Sequence, residues 1–288
     1  MDVKSIVDSY NAGRYRWEYY RKNPSQTTGA GIWFDLSMSP GTPLPNYYIS
    51  GIGTATQMVK TPAIGKIDGG MDCGPAVAPF KKLLHKFRAS TLTATAVPLP
   101  IKVCDYLLCY PFIEQTAGDF DLTNVQTLPR YTNGAGVQIM AVLQNAQVGG
   151  TSFNVTYTNS AGVAGRVSQT VICNSQAVPG TLINSSQATL AGSGPFIPLQ
   201  DGDSGVRSIE RVTFIGSDIG LFVLVLVKPL LDTMIYDITA PAEVEVIVDR
   251  GGDLHTIQDE AFMGMICLPS GTLAGSAIFG HVQTVWSN

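Results

Sequence analysis

Charged side chains are scarce in this chain. Asp, Glu, Lys and Arg make up 14% of its 288 residues, against roughly 25% in an average soluble domain. Hydrophobic residues account for 45%. Because homomeric interfaces are depleted in charge, the composition predicts a homo-oligomer or a component of a larger lattice. A β-domain with a polar but uncharged surface is the simpler alternative.

Long hydrophobic runs are missing too. The longest apolar segment, residues 219–227, has about half the length of a membrane-spanning helix, so we expect a buried strand and no membrane association. Residues 1–10 contain two acids and no apolar stretch, which predicts that the chain is not exported. The five cysteines are then expected to be reduced. Cys104 and Cys109 are expected on opposite faces of one strand.

The few charges are divided unevenly along the chain. Residues 1–102 carry 12 Lys and Arg against 6 Asp and Glu, a net charge of +6, and residues 103–288 carry 6 against 16, a net charge of −10. The first part is rich in aromatic residues, Pro and Gly, and its prolines fix φ and remove backbone donors. We therefore predict an extended, Pro/Gly-rich N-terminal arm over residues 1–100 and a separate body over residues 101–288.

One amphipathic helix is predicted within the arm. In residues 79–88 (PFKKLLHKFR), Phe80, Leu83, Leu84 and Phe87 recur at the spacing of one helical face, and cations occupy the other side. A short helix is also expected to begin within residues 2–22, with a weak point at Asn11-Ala12-Gly13.

From about Thr91 onward, apolar residues alternate with polar ones. Residues 151–158, for example, place Phe153, Val155 and Tyr157 on one face of a strand. Further strands are predicted at 101–110, 137–144, 166–173, 207–215, 219–228, 243–248 and 276–286. Short strands without intervening helices are typical of a β-sandwich, and we expect a jelly-roll-like form. The predicted fold is therefore mainly β.

The strand at residues 219–227 is apolar on both faces, so a two-sheet sandwich would leave one face uncovered. The helix at 79–88, the arm and another subunit are the three candidates to cover it. We expect a neighbouring copy around a symmetry axis, with Val223 and Leu224 at the contact.

Gly202-Asp203-Ser204-Gly205 copies the core of the nucleophile motif of chymotrypsin-like serine proteases. The motif needs an upstream histidine as general base, and His85, on the predicted cationic helix, lacks the family's sequence context. We therefore expect an ordinary turn, no enzymatic activity and no cofactor. The acidic loops 201–205 and 249–253 lack a complete calcium-binding pattern, and cation binding there stays open.

The segment at residues 14–22 packs four aromatic and four cationic side chains into nine positions. Cations could track phosphates while rings stack on bases, but the chain's pI of about 5.3 makes direct nucleic-acid binding the weaker interpretation. Arg and aromatic residues are enriched at interface anchors. The predicted interface residues are Arg14, Arg16, Trp17, Tyr19, Tyr20, Arg21, Trp33, Phe34, Tyr47, Tyr48, Val223 and Leu224.

The Pro-rich arm with residues 33–41 (WFDLSMSPG), followed by β-segments rich in Ser, Thr, Asn and Gly, resembles structural proteins of tailed-bacteriophage particles. Capsid decoration or cement proteins of such phages are often β-rich trimers that reinforce the shell. The resemblance implies a virion protein, assembled in the host cytoplasm as a homo-oligomer, with a trimer favoured. Its implied partners are the phage major capsid protein or other virion proteins. The long spine helix usual in a major capsid protein has no counterpart in this sequence.

Two other functions are kept open. A phage tail-tube or head–tail connector component is the alternative within the same class, because tail-tube proteins are also β-rich. A carbohydrate-binding or receptor-binding β-sandwich module is the alternative from another class, with Trp17, Trp33 and Trp286 as candidates for stacking on sugar rings.

Overall fold

The structure is a computed structural model that describes residues 3–60, 69–185, 193–245 and 256–287. The fold is mainly β, as predicted. One α-helix, α1 (Val3–Asn11), begins the described chain and ends where the weak point was predicted. The strands are β1 (Tyr15–Lys22), β2 (Phe34–Asp35), β3 (Gly41–Thr42), β4 (Thr56–Gln57), β5 (Met71–Asp72), β6 (Lys81–Thr91), β7 (Leu99–Glu114), β8 (Gly118–Asp121), β9 (Gln138–Asn145), β10 (Ser152–Asn159), β11 (Arg166–Val167), β12 (Val171–Ile172), β13 (Val206–Phe214), β14 (Leu221–Ile235), β15 (Ala242–Glu245), β16 (Phe262–Cys267) and β17 (Ile278–Ser287).

These strands form three antiparallel sheets in a sandwich-like arrangement. The terminal sheet has the order β15-β6-β17-β1-β3, so strands from both ends of the chain lie side by side. The central sheet has the order β2-β16-β7-β14-β9, with β4 and β5 paired to β7 and β16, and the side sheet has the order β11-β10-β13-β8, with β12 also on β10. Most strands predicted beyond residue 100 are confirmed. The strand predicted at 166–173 is instead two short strands, β11 and β12, with residues 168–170 between them outside either strand. Residues 246–248 of the strand predicted at 243–248 lie outside the described residues.

The long strands β7 and β14 of the central sheet pack against both of the other sheets. They pair along nearly their whole length. Toward one end of this pair, Val103 and Leu231 pack into a core shared with the terminal sheet. Toward the other end, Tyr110 and Leu224 pack into a second core against the side sheet. The central sheet therefore holds the two outer sheets in a fixed relation.

The apolar strand β14 is buried on both faces, as predicted, but its covering layer differs from the expectation. Val223 lies in a third core with Met38, Tyr48 and Met58, all from the predicted arm. Val223 and Leu224 have no exposed surface in the single chain. The second face is thus covered by this chain's own residues rather than by a neighbouring copy, which corrects the assignment of both residues to an interface.

The helix predicted at residues 79–88 is wrong, because residues 81–88 of this segment belong to β6. The register between β6 and β17 shifts so that His85 is an extra residue on β6. Across this bulge, Leu84 and Phe87 both face the core beneath the terminal sheet although they are three positions apart. A bulged strand therefore reproduces the i, i+3 spacing of Leu84 and Phe87, one part of the pattern that suggested a helix.

Bulges also change the side on which other residues lie. Cys104 and Cys109 occupy the same core rather than opposite faces, because β7 has an extra residue, Leu107, opposite β14. All five cysteines are buried, and none forms a disulfide bond.

The predicted boundary at residue 100 does not coincide with a break between sheets. Strands β1 and β6 lie before it, and both pair with β17 at the other end of the chain. That the loops between β1 and β6 act as an arm in an assembly stays a prediction.

Candidate interaction surfaces

The aromatic and cationic cluster at residues 14–22 is divided by the alternation of β1. Tyr15, Trp17 and Tyr19 point outward and are 39%, 36% and 63% exposed, and Arg21 is exposed on the same side. The intervening side chains, among them Tyr20, point inward. Half of the predicted anchors therefore remain available on the surface.

Neighbouring strands extend this outward surface. Tyr19 lies opposite His281 of β17, and His281 lies opposite Arg88 of β6. The His281 ring is 4.5 Å from the Trp17 ring, centroid to centroid, and 5.8 Å from the Tyr19 ring. We call the exposed side chains of Tyr15, Trp17, Tyr19, Arg21 and Arg88, together with the partly buried His281, the aromatic face.

The electrostatics of the aromatic face come from its arginines. Burial, and next the nearby Arg88 guanidinium, lower the pKa of His281, so this ring is neutral at neutral pH. Lys86 pairs with Glu243 at 3.0 Å, and Glu243 lies opposite Arg88 in the pairing of β15 with β6, so this edge of the aromatic face carries a carboxylate beside its cations. A surface of fixed rings flanked by Arg21 and Arg88 is suited to a partner that offers apolar groups beside carboxylates.

Two other predicted anchors are engaged within the chain while keeping part of their surface. The Arg14 guanidinium lies 4.8 Å from the centre of the Phe80 ring. Arg16 donates to Asp72 at 2.7 Å. These contacts tie the start of β1 to the segment that contains β5. Both arginines are also partly exposed.

Tyr20, Phe34 and Tyr48 are buried within the chain, with 2–3% of their surface exposed. Tyr20 packs against Phe87, and its hydroxyl donates to the Arg88 carbonyl at 2.9 Å. These three residues contribute to the core, which corrects their assignment as exposed anchors. Tyr47 is 50% exposed and keeps that role as a prediction.

Trp33 lines an open groove of about 660 Å³ at the end of β14. The Nζ atom of Lys102 lies 5.7 Å from the centre of the Trp33 ring and 2.7 Å from Asp232. Tyr236, 76% exposed, and Glu243 also line this groove. An aromatic platform beside a polar ion pair is the arrangement that a small polar ligand with an apolar face would require.

The Gly202–Gly205 motif forms a turn held by its aspartate. Asp203 accepts hydrogen bonds from the Tyr157 hydroxyl at 2.6 Å, from Asn159 at 2.7 Å and from Arg166 at 2.9 Å. The Arg166 hydrogen bond is the main cause that lowers the pKa of Asp203 to about 2. The Ser204 hydroxyl lies 3.3 Å from that of Ser160, and no described histidine hydrogen-bonds to it. This geometry matches the predicted turn.

Cation sites find no support within the described ranges, where no group of three or more His, Cys, Asp or Glu side chains could hold a metal ion. The loop at 249–253 lies outside the described residues. No helix in the described part of the chain has the length and apolar character needed to cross a bilayer.

Sequence reasoning identified Tyr47 of one further surface but missed the isoleucines beside it. Ile49 and Ile52 are 80% and 70% exposed on the loop over residues 44–53, which packs beside β7 and β9. A signal for it was present, because residues 36–59 contain no Asp, Glu, Lys or Arg. The sequence alone could not indicate which apolar side chains of this stretch face outward.

Comparisons with known proteins place this chain in no family. No family model matches it, and no curated protein matches it. A solved structure of infectious bursal disease virus, Gx strain, aligns with 95% of this chain and 80% of its own at 9% identity, with a TM-score of 0.15. A likeness that weak carries no argument about fold or function.

Proposed function

We propose that this protein is a structural component of a tailed-bacteriophage particle that binds the assembled capsid as a decoration or cement protein. In this proposal it is a homo-oligomer, with a trimer favoured, that assembles in the host cytoplasm and becomes part of the virion. The aromatic face is the observation that carries the proposal, because it leaves large rings and two exposed arginines, Arg21 and Arg88, on the surface of an otherwise charge-poor chain.

The proposed mechanism is mass action. A protein that binds the closed shell and not its dissociated subunits stabilises the shell in proportion to the logarithm of its free concentration. Trp17 and Tyr19 are held by contacts with His281, so little side-chain entropy is lost when they are covered. Arg21 and Arg88 would then select an acidic surface on the capsid.

The test uses particles produced with and without this chain. Adding purified protein to particles that lack it should raise the temperature at which they release DNA. Replacing both Trp17 and Tyr19 by Ala should weaken binding at least about 30-fold, the effect of losing one central anchor. Tyr236→Ala, which removes an exposed ring elsewhere, is the matched control. Particles that never contain the chain, or full binding by the double variant, would refute the proposal.

Tail-tube or connector function is distinguished by electron microscopy of the same particles, since antibody label would then lie on the tail or the portal rather than on the shell. The carbohydrate-binding alternative is favoured by the groove that contains Trp33 and Tyr236. Soluble glycans should then bind the purified protein, and Trp33→Ala should abolish that binding while Trp17→Ala leaves it intact.

A further inference from the structure

The loop at residues 44–53 is anchored at its centre and exposed on both sides of the anchor. Tyr48 is 2% exposed, and its hydroxyl donates to the buried Asp35 carboxylate at 2.5 Å. Its φ of 53° is in the left-handed region. The chain turns there, and the flanking Tyr47 and Ile49 side chains are left 50% and 80% exposed. The apolar side chains are thus displayed by a fixed backbone.

Hydrogen bonds hold the rest of the loop against the central sheet. The Gln144 side chain donates to the carbonyl of Tyr47 at 3.2 Å and of Tyr48 at 3.4 Å. Further along, the Gly53 amide donates to the Pro111 carbonyl at 2.7 Å. A surface that is ordered before binding loses less conformational entropy when a partner covers it.

A β-bulge places an aromatic ring beside this loop. On β14, Phe222 lies opposite Ile113 and Leu224 opposite Tyr110, so Pro111 and Phe112 together face a single β14 residue. Phe112 has a φ of 58°, and its amide donates to the Gln144 side chain at 2.7 Å. Bulges re-aim side chains, and this one turns Phe112 out of the core.

Phe112 lies between two apolar grooves. One, of about 460 Å³, is lined by Tyr47, Ile49 and Phe112 among others. The second, of about 560 Å³, is lined by Ile52, Phe112, Phe120 and Leu221. Projecting isoleucines and grooves large enough to accept them therefore occur on one continuous surface, which we call the loop surface.

Charge identifies the kind of partner. Among the described residues, Glu114 is the one charged side chain that lines either groove, so this part of the loop surface offers almost nothing to attract an acidic or basic partner. The complementary surface must itself be apolar, uncharged and shaped with projections that fit these grooves. The chain carries such a surface, since Ile49 and Ile52 project beside the grooves.

We propose that the loop surface is a self-association surface, on which the isoleucines of one copy enter the grooves beside Phe112 of a second copy of this chain. This proposal names the contact of the homo-oligomer in the proposed function and rests on that function in this one respect, but it does not involve the aromatic face. An oligomer that survives changes to the loop surface would overturn this proposal alone, whereas full capsid binding without the Trp17 and Tyr19 rings would overturn the proposed function alone.

Sedimentation velocity and light scattering over a wide concentration range test the proposal. The wild type should have a mass that is a multiple of the 30.7 kDa chain. Replacing both Ile49 and Ile52 by Asp should raise the dissociation constant at least about 30-fold. Leu92→Asp is the matched control, because Leu92 is 68% exposed after β6 and should leave the mass unchanged.

A second measurement covers the case in which the double variant folds poorly. Because all five natural cysteines are buried, the thiol of an Ile52→Cys variant should be the one that alkylating reagents reach. Its alkylation should slow as the protein is concentrated, while that of Leu92→Cys should not. A wild type that stays monomeric at every concentration, an oligomer that survives Ile49→Asp with Ile52→Asp, or unprotected Cys at position 52 would overturn the proposal.

Discussion

Removing the guanidinium of Arg130 should destabilise the fold more than removing any exposed arginine. Arg130 and Asp105 form a buried ion pair, with side chains 5% and 0% exposed. Two hydrogen bonds of 2.9 and 2.7 Å join them, and Arg130 also donates to the carbonyls of Met58 and Tyr106 at 2.9 Å. The pair therefore links β7 to two loops.

The size of the effect follows from what Arg130→Met leaves behind. Asp105 would keep one described hydrogen bond, from the Phe262 amide at 3.1 Å, and would be a buried carboxylate without a counter-charge. Breaking such a pair costs about 3–5 kcal/mol, against a total stability of about 5–15 kcal/mol. Replacing Asp105 by Leu as well removes the orphaned charge, so the double variant should be more stable than Arg130→Met.

Urea denaturation followed by circular dichroism measures these free energies of unfolding. The control is Arg211→Met, because Arg211 pairs with Asp119 and Asp121 at 2.8 and 2.6 Å between exposed side chains. That substitution should cost less than about 1 kcal/mol. The reasoning fails if Arg130→Met costs no more than Arg211→Met, or if the double variant is less stable than Arg130→Met.

Three further predictions concern single groups. The lowered pKa of Asp203 means that its stabilising effect is present above the ordinary carboxyl pKa and is lost as the pH falls toward about 2, so Asp203→Asn should flatten the acid limb of a stability–pH curve. Burial lowers the pKa of Lys22 to about 8. Between about pH 8 and 10.5 the unfolded chain therefore binds more protons than the folded chain, so the free energy of unfolding rises with pH there. Lys22→Met should remove that rise. Ser204 should not react with a fluorophosphonate probe, and stoichiometric labelling there would restore the protease interpretation.

The sequence predicted most strands because alternation survives wherever a strand is regular. The prediction failed where a bulge changes the phase of that alternation. The extra residue His85 on β6 led to the wrong prediction of a helix, and because of the extra residue Leu107 on β7, Cys104 and Cys109 lie on one face. A bulge depends on the partner strand, so no local pattern contains it.

The candidate surfaces were predictable to a similar extent. The composition of residues 14–22 indicated an interface, and the alternation of β1 then decided that Trp17 is exposed and Tyr20 buried. For Tyr48, Ile49 and their neighbours, exposure depends on the hydroxyl contact with Asp35 across the sheet. Because that contact is tertiary, the sequence could indicate that this stretch is apolar but not which of its side chains face solvent.

The bulge at Phe112 connects these two observations and leads to a last prediction. A non-glycine residue in the left-handed region costs about 1–3 kcal/mol, a cost that Phe112→Gly would relieve. The substitution also removes the ring between the two grooves of the loop surface. If the strained bulge serves self-association, Phe112→Gly should leave the monomer's free energy of unfolding unchanged or higher and still weaken association about 10-fold or more. Chemical denaturation at low concentration and sedimentation at high concentration measure the two quantities separately. A Phe112→Gly variant that unfolds more easily but associates normally would show that the ring supports the fold and not the contact between copies.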